Sequence, residues 1–392
     1  MEVLQCYEIV NDLIEAGVGA AKQKVTTLDG LISFGESVLA SEKQTDAFYE
    51  KLLDRIGRTY IKYRRYYADN RDSIMRTPLD YGIIMQKVSV KNLAGMKENT
   101  SYKAQESPFS KEKDTTDIIQ QLYRAFGVFE TETKIIYDVQ LRSAFTSAEA
   151  FGAFVDLIFS DMYNSMEVAI ENLIKTAKAA MMAKALTGNG LTNRNVFMEY
   201  VAQNPNTTLT TDTCWTDVDY LKFVSNEINL ASKRLKRMTR NFNVGGADRF
   251  TNDEDKEVEV LDFYAAKTQS YLDADTYHKE LVGLPNYREV SSWKSDSDFS
   301  FDEISKIMVE WGTGQDKIEA VQSGIIACIY DRDAVGVLIE RLRVVSQRNN
   351  MQELTNYAYK MDWAGYVDAY ENCIVFYAED TRENAGGNDN EG

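Results

Sequence analysis

The chain offers little for side-chain catalysis. It has one histidine, His278, and four cysteines, Cys6, Cys214, Cys328 and Cys373, in 392 residues. A Ser–His–Asp or Cys–His arrangement needs an imidazole beside a nucleophile. His278 instead lies in the charged stretch DADTYHKEL, without a G-x-S-x-G signature, and reads as a surface residue. The cysteines are scattered and form no C-x-x-C pair, so free thiols in a reducing compartment are expected, and no His/Cys zinc set can be assembled. DEDKEVE (253–259) alternates carboxylates like a calcium loop, but Val258 stands where an EF-hand needs glycine, so it reads as a solvated acidic loop. GVGAAK (17–22) and GTGQDK (312–317) lack the G-K-[ST] ending of a phosphate loop and read as turns. Among 61 acidic residues no spacing singles out a catalytic pair. No catalytic, cofactor-binding or metal-binding residue is assigned.

One charge feature does stand out. KRLKRMTR (233–240) closes a helical pattern with Lys233, Arg234, Lys236, Arg237 and Arg240. Cations at a helix C-terminus complement its dipole. The same residues could instead dock on an acidic neighbouring subunit or, less readily, on nucleic acid. Arg64 and Arg65 invite a similar reading, so Arg64, Arg65, Lys233, Arg234, Lys236 and Arg237 are candidate contacts between subunits.

The bulk composition narrows the class further. The formal net charge is −17, which opposes a protein whose task is to grip nucleic acid. With 44% hydrophobic residues and four prolines the chain is that of an ordered protein. The N-terminal MEVLQCYEIV lacks the basic and apolar regions of a signal peptide. No charge-free apolar run approaches the roughly 18 residues of a membrane helix, so no membrane partner is expected.

These residues must be carried by a distinctive series of elements. Residues 1–45 have short helical patterns broken at Gly17, Gly19, Gly30 and Gly35, with apolar positions Leu4, Tyr7 and Leu13, and suggest an arm leaning on something else. DAFYEKLLDRIG (46–57) is a short helix with Phe48, Leu52 and Ile56 on one face. TYIKYRRYY and GIIMQKVSVKN are strand-like and bound a polar stretch, making 58–112 a two-stranded excursion with little core of its own. KIIYDVQLRSAF (134–145) is a further strand.

The spacing then predicts one helix over 147–186, with Thr146 and Glu149 as a capping box and Gly188 as a left-handed terminator. Phe151, Val155, Ile158, Met162, Met166, Ala169, Leu173, Ala177 and Ala180 form one stripe, with acidic residues in front and lysines behind. At about 1.5 Å per residue it spans roughly 60 Å. A second helix is expected from a Thr216 cap, with Leu221, Val224, Ile228, Leu235, Met238 and Phe242 inward. FDEISKIMVEW reads as a short helix, and GIIACIY, VGVLI, RLRVV, LTNYAYKM and NCIVFYA as strands. The acidic tail EDTRENAGGNDNEG is expected to be disordered.

Arm, short helix, extended β loop, strand, very long helix, mixed lobe and returning strands follow an order that resembles the Hong Kong 97-type fold of tailed-phage major capsid proteins. The likeness is strongest to the phi-twenty-nine-like short-tailed phages. DAFYEKLLDRIG, LRSAFTSAEAFGAFVDLIFSDMYNSMEVAIENLI (141–174) with its Tyr163–Asn164–Ser165 step, DYLKFVSNEINLASKRLKRMT (219–239), YLDADTYHKEL, IYDRD (329–333) and ENCIVFYAED carry it. It covers most of residues 40–380. Some relatives add an immunoglobulin-like domain after the last strand, whereas this chain stops.

The resemblance implies an α+β fold with a long spine helix, an extended β-hairpin loop, an N-terminal arm and a mixed α/β apical lobe. The implied divisions are an arm (1–45), a peripheral domain (46–58 and 113–205, with strands at 346–378), an extended loop (59–112), an apical domain (206–345) and a tail (379–392). It implies a structural protein without cofactor or catalysis, assembling with itself as pentamers and hexamers of an icosahedral or prolate shell. A separate scaffolding protein, a portal and non-specifically apposed packaged DNA would be its partners. It would assemble in the host cytoplasm and reside in the virion. An encapsulin-type nanocompartment shell shares the fold, and a carboxylate-dependent hydrolase around a helical core stays open on the residues alone.

Overall fold

The computed structural model describes residues 3–15, 17–18, 24–39, 43–45, 47–48, 51, 85–92, 118–123, 125–130, 134–137, 140, 143–274, 286–293, 301–311, 318–349, 351–352 and 354–382. Arg64, Arg65, His278, the stretch TYIKYRRYY, most of DAFYEKLLDRIG, GTGQDK and the tail beyond Arg382 lie outside them.

Along the chain come α1 (Val3–Glu15), α2 (Leu28–Leu39), β1 (Met85–Val90), β2 (Ile118–Tyr123), β3 (Ala125–Glu130) and β4 (Lys134–Tyr137). The long helix α3 (Ala148–Leu186) follows, then β5 (Asn193–Asn195), α4 (Val196–Gln203), α5 (Val218–Arg234), β6 (Lys256–Leu261), α6 (Asp262–Ala274) and β7 (Arg288–Val290). The series ends with α7 (Phe301–Ile304), β8 (Ile307–Trp311), β9 (Ile318–Gln322), β10 (Ile325–Asp331), β11 (Val335–Asn349), β12 (Leu354–Val367) and β13 (Cys373–Tyr377). The chain is thus a mixed helix-and-sheet protein. It divides into two compact units: 1–69, 126–171 and 338–364 form the first, and 70–125, 172–337 and 365–392 the second.

The core of the first unit is aromatic. Phe34, Phe48, Phe145 and Phe151 are buried, with the Phe145 and Phe151 rings stacked 5.4 Å apart and Phe34 edge-on to Phe145 at 6.0 Å. Residues 24–39 therefore do more than lean on a neighbour. Leu31, Phe34 and Val38 of α2 are fully buried within this chain. Gly35 does not interrupt α2; a Cβ there would come within 2.5 Å of the Phe145 ring, so its missing side chain is what lets the helix approach. Asn11 ties the preceding segment down, donating to the Val25 carbonyl at 3.0 Å and accepting from the Val25 amide at 2.6 Å. The sheet of this unit runs β11–β12–β3, with β4 also antiparallel to β12.

The second unit is built on a five-stranded sheet ordered β5–β13–β10–β6–β7, antiparallel at its centre and parallel at both edges. All seven residues of β10 are buried, as an unbroken apolar run such as IIACIY requires of a central strand. On one sheet face Val258, Val260, Ala327, Ile329, Ile374 and Phe376 join Tyr220, Leu221, Val224 and Ile228 of α5 in a single core. Register places Glu259, Cys328, Tyr330 and Cys373 on the other face. There Lys178 of α3 ion-pairs with Glu259, and the Tyr330 hydroxyl donates to the same carboxylate oxygen at 2.8 Å. The fold also brings the Sγ atoms of Cys328 and Cys373 to 3.9 Å, though 45 residues separate them in the chain.

Several local expectations change. The cap of α3 is Ser147, whose hydroxyl accepts from the Ala150 amide at 3.1 Å, while the Thr146 hydroxyl turns back to the Ser143 carbonyl. Gly188 is not left-handed, since positive φ occurs only at Gly17, Gly246 and Gly324 among the described glycines. It is small because Thr192 Oγ1 would lie 2.1 Å from a Cβ, and that hydroxyl satisfies the Ala185 carbonyl at the helix end. Of the expected stripe, Phe151, Met166, Leu173, Ala177 and Ala180 are buried, and the side chains of Val155, Ile158 and Met162 lie outside the described residues. From Leu173 onward Ile174, Lys178, Ala179, Met182 and Ala183 are buried as well, as in a helix enclosed on several sides. Glu167 and Lys178, whose charges suit the two ends of the helix dipole, are buried as well.

Helix α5 is capped by Asp217 rather than Thr216, because the carboxylate reaches the Tyr220 amide at 2.7 Å. The helix ends at Arg234, so Met238 lies beyond it, exposed, while Leu235 and Phe242 are buried from the following turn. IMVEW is strand β8, whose buried and exposed residues alternate, and only Phe301–Ile304 are helical. Residues 379–382, grouped with the tail by composition, are held: the Glu379 amide donates to Asn195, and Arg382 donates to Asp380 and to the Leu209 carbonyl.

Replacing Lys178 by Met leaves the Glu259 charge buried without its counter-ion, an expected loss of about 3–5 kcal/mol. Pairing Lys178→Met with Glu259→Leu should recover most of it. Denaturant midpoints of the three proteins give the answer, and a single variant as stable as the parent would remove the ion pair from any structural role.

Candidate functional site

The two-stranded ribbon β1–β2 is antiparallel, with Met85 opposite Tyr123 and Val90 opposite Ile118. The partner of GIIMQKVSVKN is thus Ile118–Tyr123, beyond the 58–112 excursion, and the alternative leg TYIKYRRYY is outside the described residues. Alternation sorts the side chains into two faces. Lys87, Ser89, Ile119 and Gln121 share one, and Val88, Val90, Ile118 and Gln120 share the other.

The first face is rooted by charge. Lys87 Nζ lies 2.7 Å from both Asp368 Oδ2 and Glu371 Oε1, and Gln121 Nε2 donates to Asp368 Oδ1 at 2.9 Å. The Asp368 carboxylate is wholly buried and also accepts from the Tyr370 amide. Arg249 holds the same strand, donating to Ser89 Oγ and the Val90 carbonyl at 2.9 Å each, and its Nε lies 3.3 Å from Glu371. The Asp248 amide donates to the Lys91 carbonyl at 2.8 Å. Burial works against the Lys87 charge, but Asp368 and Glu371 together outweigh it and lift its pKa above the ordinary lysine value. None of this was legible in the sequence. Lys87 and Asp368 are 281 residues apart, and neither belongs to a motif.

The opposite face is the reverse in character. Val88, Val90 and Ile118 are 58%, 44% and 62% exposed, so the ribbon turns its ionic side inward and its apolar side outward.

The basic segment divides in the structure. Arg240 is consumed by Asp248 at 2.7 Å, and Lys236 by Asp253, which Lys256 also contacts at 2.6 Å. Lys233, Arg234 and Arg237 are exposed and make no ion pair among the described residues. Lys233 and Lys236 belong to the wall of a cleft of about 690 Å³, with Lys256, Arg288, Asp253 and Glu257 also in that wall. The carboxylates of 253–259 do not converge as a calcium loop would. Asp253 serves Lys236 and Lys256, Glu257 serves Arg288 and Arg332, and Glu259 serves Lys178. Gly17 and Val18 of GVGAAK close α1, their amides donating to the Ile14 and Leu13 carbonyls. Burial pushes the Cys214 thiol up to about 12, which leaves it inert as a nucleophile.

Changing Lys87 to Met should cost about 2 kcal/mol of local stability, because it strands a buried carboxylate. Amide exchange in Met85–Val90 should then quicken by roughly tenfold or more; unchanged exchange would show that the ribbon does not depend on that root. Hydrogen bonds from Lys236 and Lys256 lower Asp253 to about 2 from an ordinary 3.8. Its folded pKa being depressed, its support is complete above the unfolded value and is lost as pH falls from 3.8 toward 2. The Asp253→Asn variant should lose that part of the acid dependence of the melting temperature, a small part because the site is exposed.

Comparison with known proteins places these features. Residues 8–377 match the family model of the Phi29-like phage major capsid protein. A major capsid protein of Bacillus phage GA-1 is 24% identical over 174 residues, covering 42% of this chain and 34% of that one, so the match spans about a third of the relative's length. Among solved structures, the capsid of Staphylococcus phage Andhra aligns over 80% of this chain and 86% of its own, at 11% identity and a TM-score of 0.49. The capsid of Cyanophage P-SCSP1u aligns over 81% and 90%, at 13% identity and a TM-score of 0.45. With its model matched from the first helix to the last strand, the chain belongs to the Phi29-like phage major capsid protein family.

Proposed function

We propose that the chain is the head subunit of a tailed phage, building by self-association the shell that encloses a double-stranded DNA genome, and that it does so in the Hong Kong 97-type fold. The observation that carries this is the inverted polarity of the β1–β2 ribbon. A ribbon held to its own chain by hydrophobic contact would bury Val88, Val90 and Ile118 and leave Lys87 and Gln121 in water. Here a buried carboxylate fixes the polar face and the apolar face is presented outward. Such a surface gains stability when a neighbouring copy covers it, so association and burial are coupled.

In this reading the arm is 1–45, the peripheral domain 46–58, 113–205 and 346–378 with the spine helix over 147–186, the extended loop 59–112 and the apical domain 206–345. Copies meet as pentamers and hexamers, a separate scaffolding protein guides them, and one vertex holds a portal. The subunit is structural, takes no cofactor, and resides in the virion after assembly in the host cytoplasm. An excess of negative charge keeps packaged DNA from adhering to the wall, since like charges repel within a Debye length of about 10 Å.

Val88→Asp combined with Ile118→Asp tests the reading. The variant, expressed with the other head genes, should give soluble subunits with the parent's circular dichroism spectrum and no shells by negative-stain microscopy. Shells of normal number and size from the double variant would overturn the assignment of that face.

A further inference from the structure

We infer that the cleft at the end of α5 receives a carboxylate-bearing segment of a second copy of this chain, with Lys233 as its contact residue and Arg234 and Arg237 beside it in sequence. The inference deepens the shell reading and rests on it for the identity of the partner. Among the described residues four cations line the cleft, Lys233, Lys236, Lys256 and Arg288, against two carboxylates, Asp253 and Glu257. The wall is already organised. Lys236 and Lys256 clamp Asp253 between them, and Glu257 holds Arg288 at 3.3 Å and Arg332 at 3.4 Å. Each carboxylate is therefore shared by two cations, which leaves the wall positive. Lys233 is exposed and makes no ion pair among the described residues, as do Arg234 and Arg237.

The sign of this surface is opposite to that of the whole. The chain carries 61 acidic against 44 basic side chains, so any identical neighbour presents acid excess. Copies so charged repel one another, and a positive cleft on each offsets that repulsion where it meets an acidic segment. A volume of about 690 Å³ admits several side chains. Duplex DNA fits it less well. A phosphate recurs about every 1.7 Å of duplex axis and calls for a continuous row of cations. Asp253 and Glu257 interrupt that row.

Carbodiimide treatment of assembled wild-type particles is the direct test, since it joins a lysine amine to a carboxylate in contact. A covalent dimer on denaturing gels, with the link mapped to Lys233 by mass spectrometry, is expected. The triple variant Lys233→Glu, Arg234→Glu, Arg237→Glu should melt as the parent does, while its shell yield at physiological salt falls roughly tenfold or more, by the salt-sensitive logic of surface charge. Lys233→Arg should keep the shells and abolish the link. Normal shells from the triple variant, or wild-type particles without a Lys233 link, would overturn the inference. So would a Lys233 link to a different protein, or protection of Lys233 by a DNA duplex in place of a link. If wild-type chains expressed with the other head genes form no particles, the shell reading itself fails. A Lys233-linked dimer in concentrated solution would then still sustain the second-copy contact, and its absence would end it.

Discussion

Glu259 carries a carboxylate into the middle of a sheet whose central strand is buried throughout, and the second half of α3 is obliged to answer it. Lys178 supplies the counter-charge and Tyr330 a hydroxyl. A buried ion pair is a weak source of net stability, because desolvation offsets most of the attraction. Its strength lies in discrimination. Moving α3 by one residue along its axis would leave both charges uncompensated, whereas an alanine-rich surface such as Ala177, Ala179, Ala180 and Ala183 would tolerate several registers. The ion pair thus selects one seating of a smooth helix on the sheet.

A similar division of labour appears at the ribbon root. Asp368 is buried where β12 gives way to β13, and satisfies Lys87, Gln121 and the Tyr370 amide at once. Arg249 ties Glu371 to Ser89 and the Val90 carbonyl. The ribbon gains its position from directional, charge-assisted bonds on one face, which leaves the other face free to be apolar. A hairpin held by hydrophobic contact alone would have had to turn that face inward. The same logic separates the basic residues at and beyond the end of α5: Lys236 and Arg240, with a carboxylate at hand, brace the fold, and Lys233, Arg234 and Arg237, with none among the described residues, remain at the surface.

Much of the architecture was legible because its signals are local. The 39-residue α3, the apolar run of β10 and the closing strand β13 each announce themselves by composition and period within one segment. Errors gathered where a local pattern admitted two partners. Thr146 and Ser147 are both competent caps, and the backbone chose Ser147. IMVEW has the apolar content of either a helix or a strand, and pairing with Ile318–Gln322 decided for strand. Gly35 looked like a break, and only the proximity of Phe145 explains it. The ribbon root was invisible, since its members come from four separate segments and none has an unusual residue type.

By itself, then, the sequence determined the acidic charge, the lack of an imidazole-based nucleophile site, the long helix and the order of elements that marks the family. Those properties follow from composition and short-range periodicity, which need no partner. Tertiary structure alone decided which lysine is buried on Glu259, which face of the ribbon looks outward, and which of the clustered cations remain uncommitted. Each of these depends on a charge meeting its opposite across 8 to 281 residues, and Coulombic pairing leaves no mark on the local sequence of either partner.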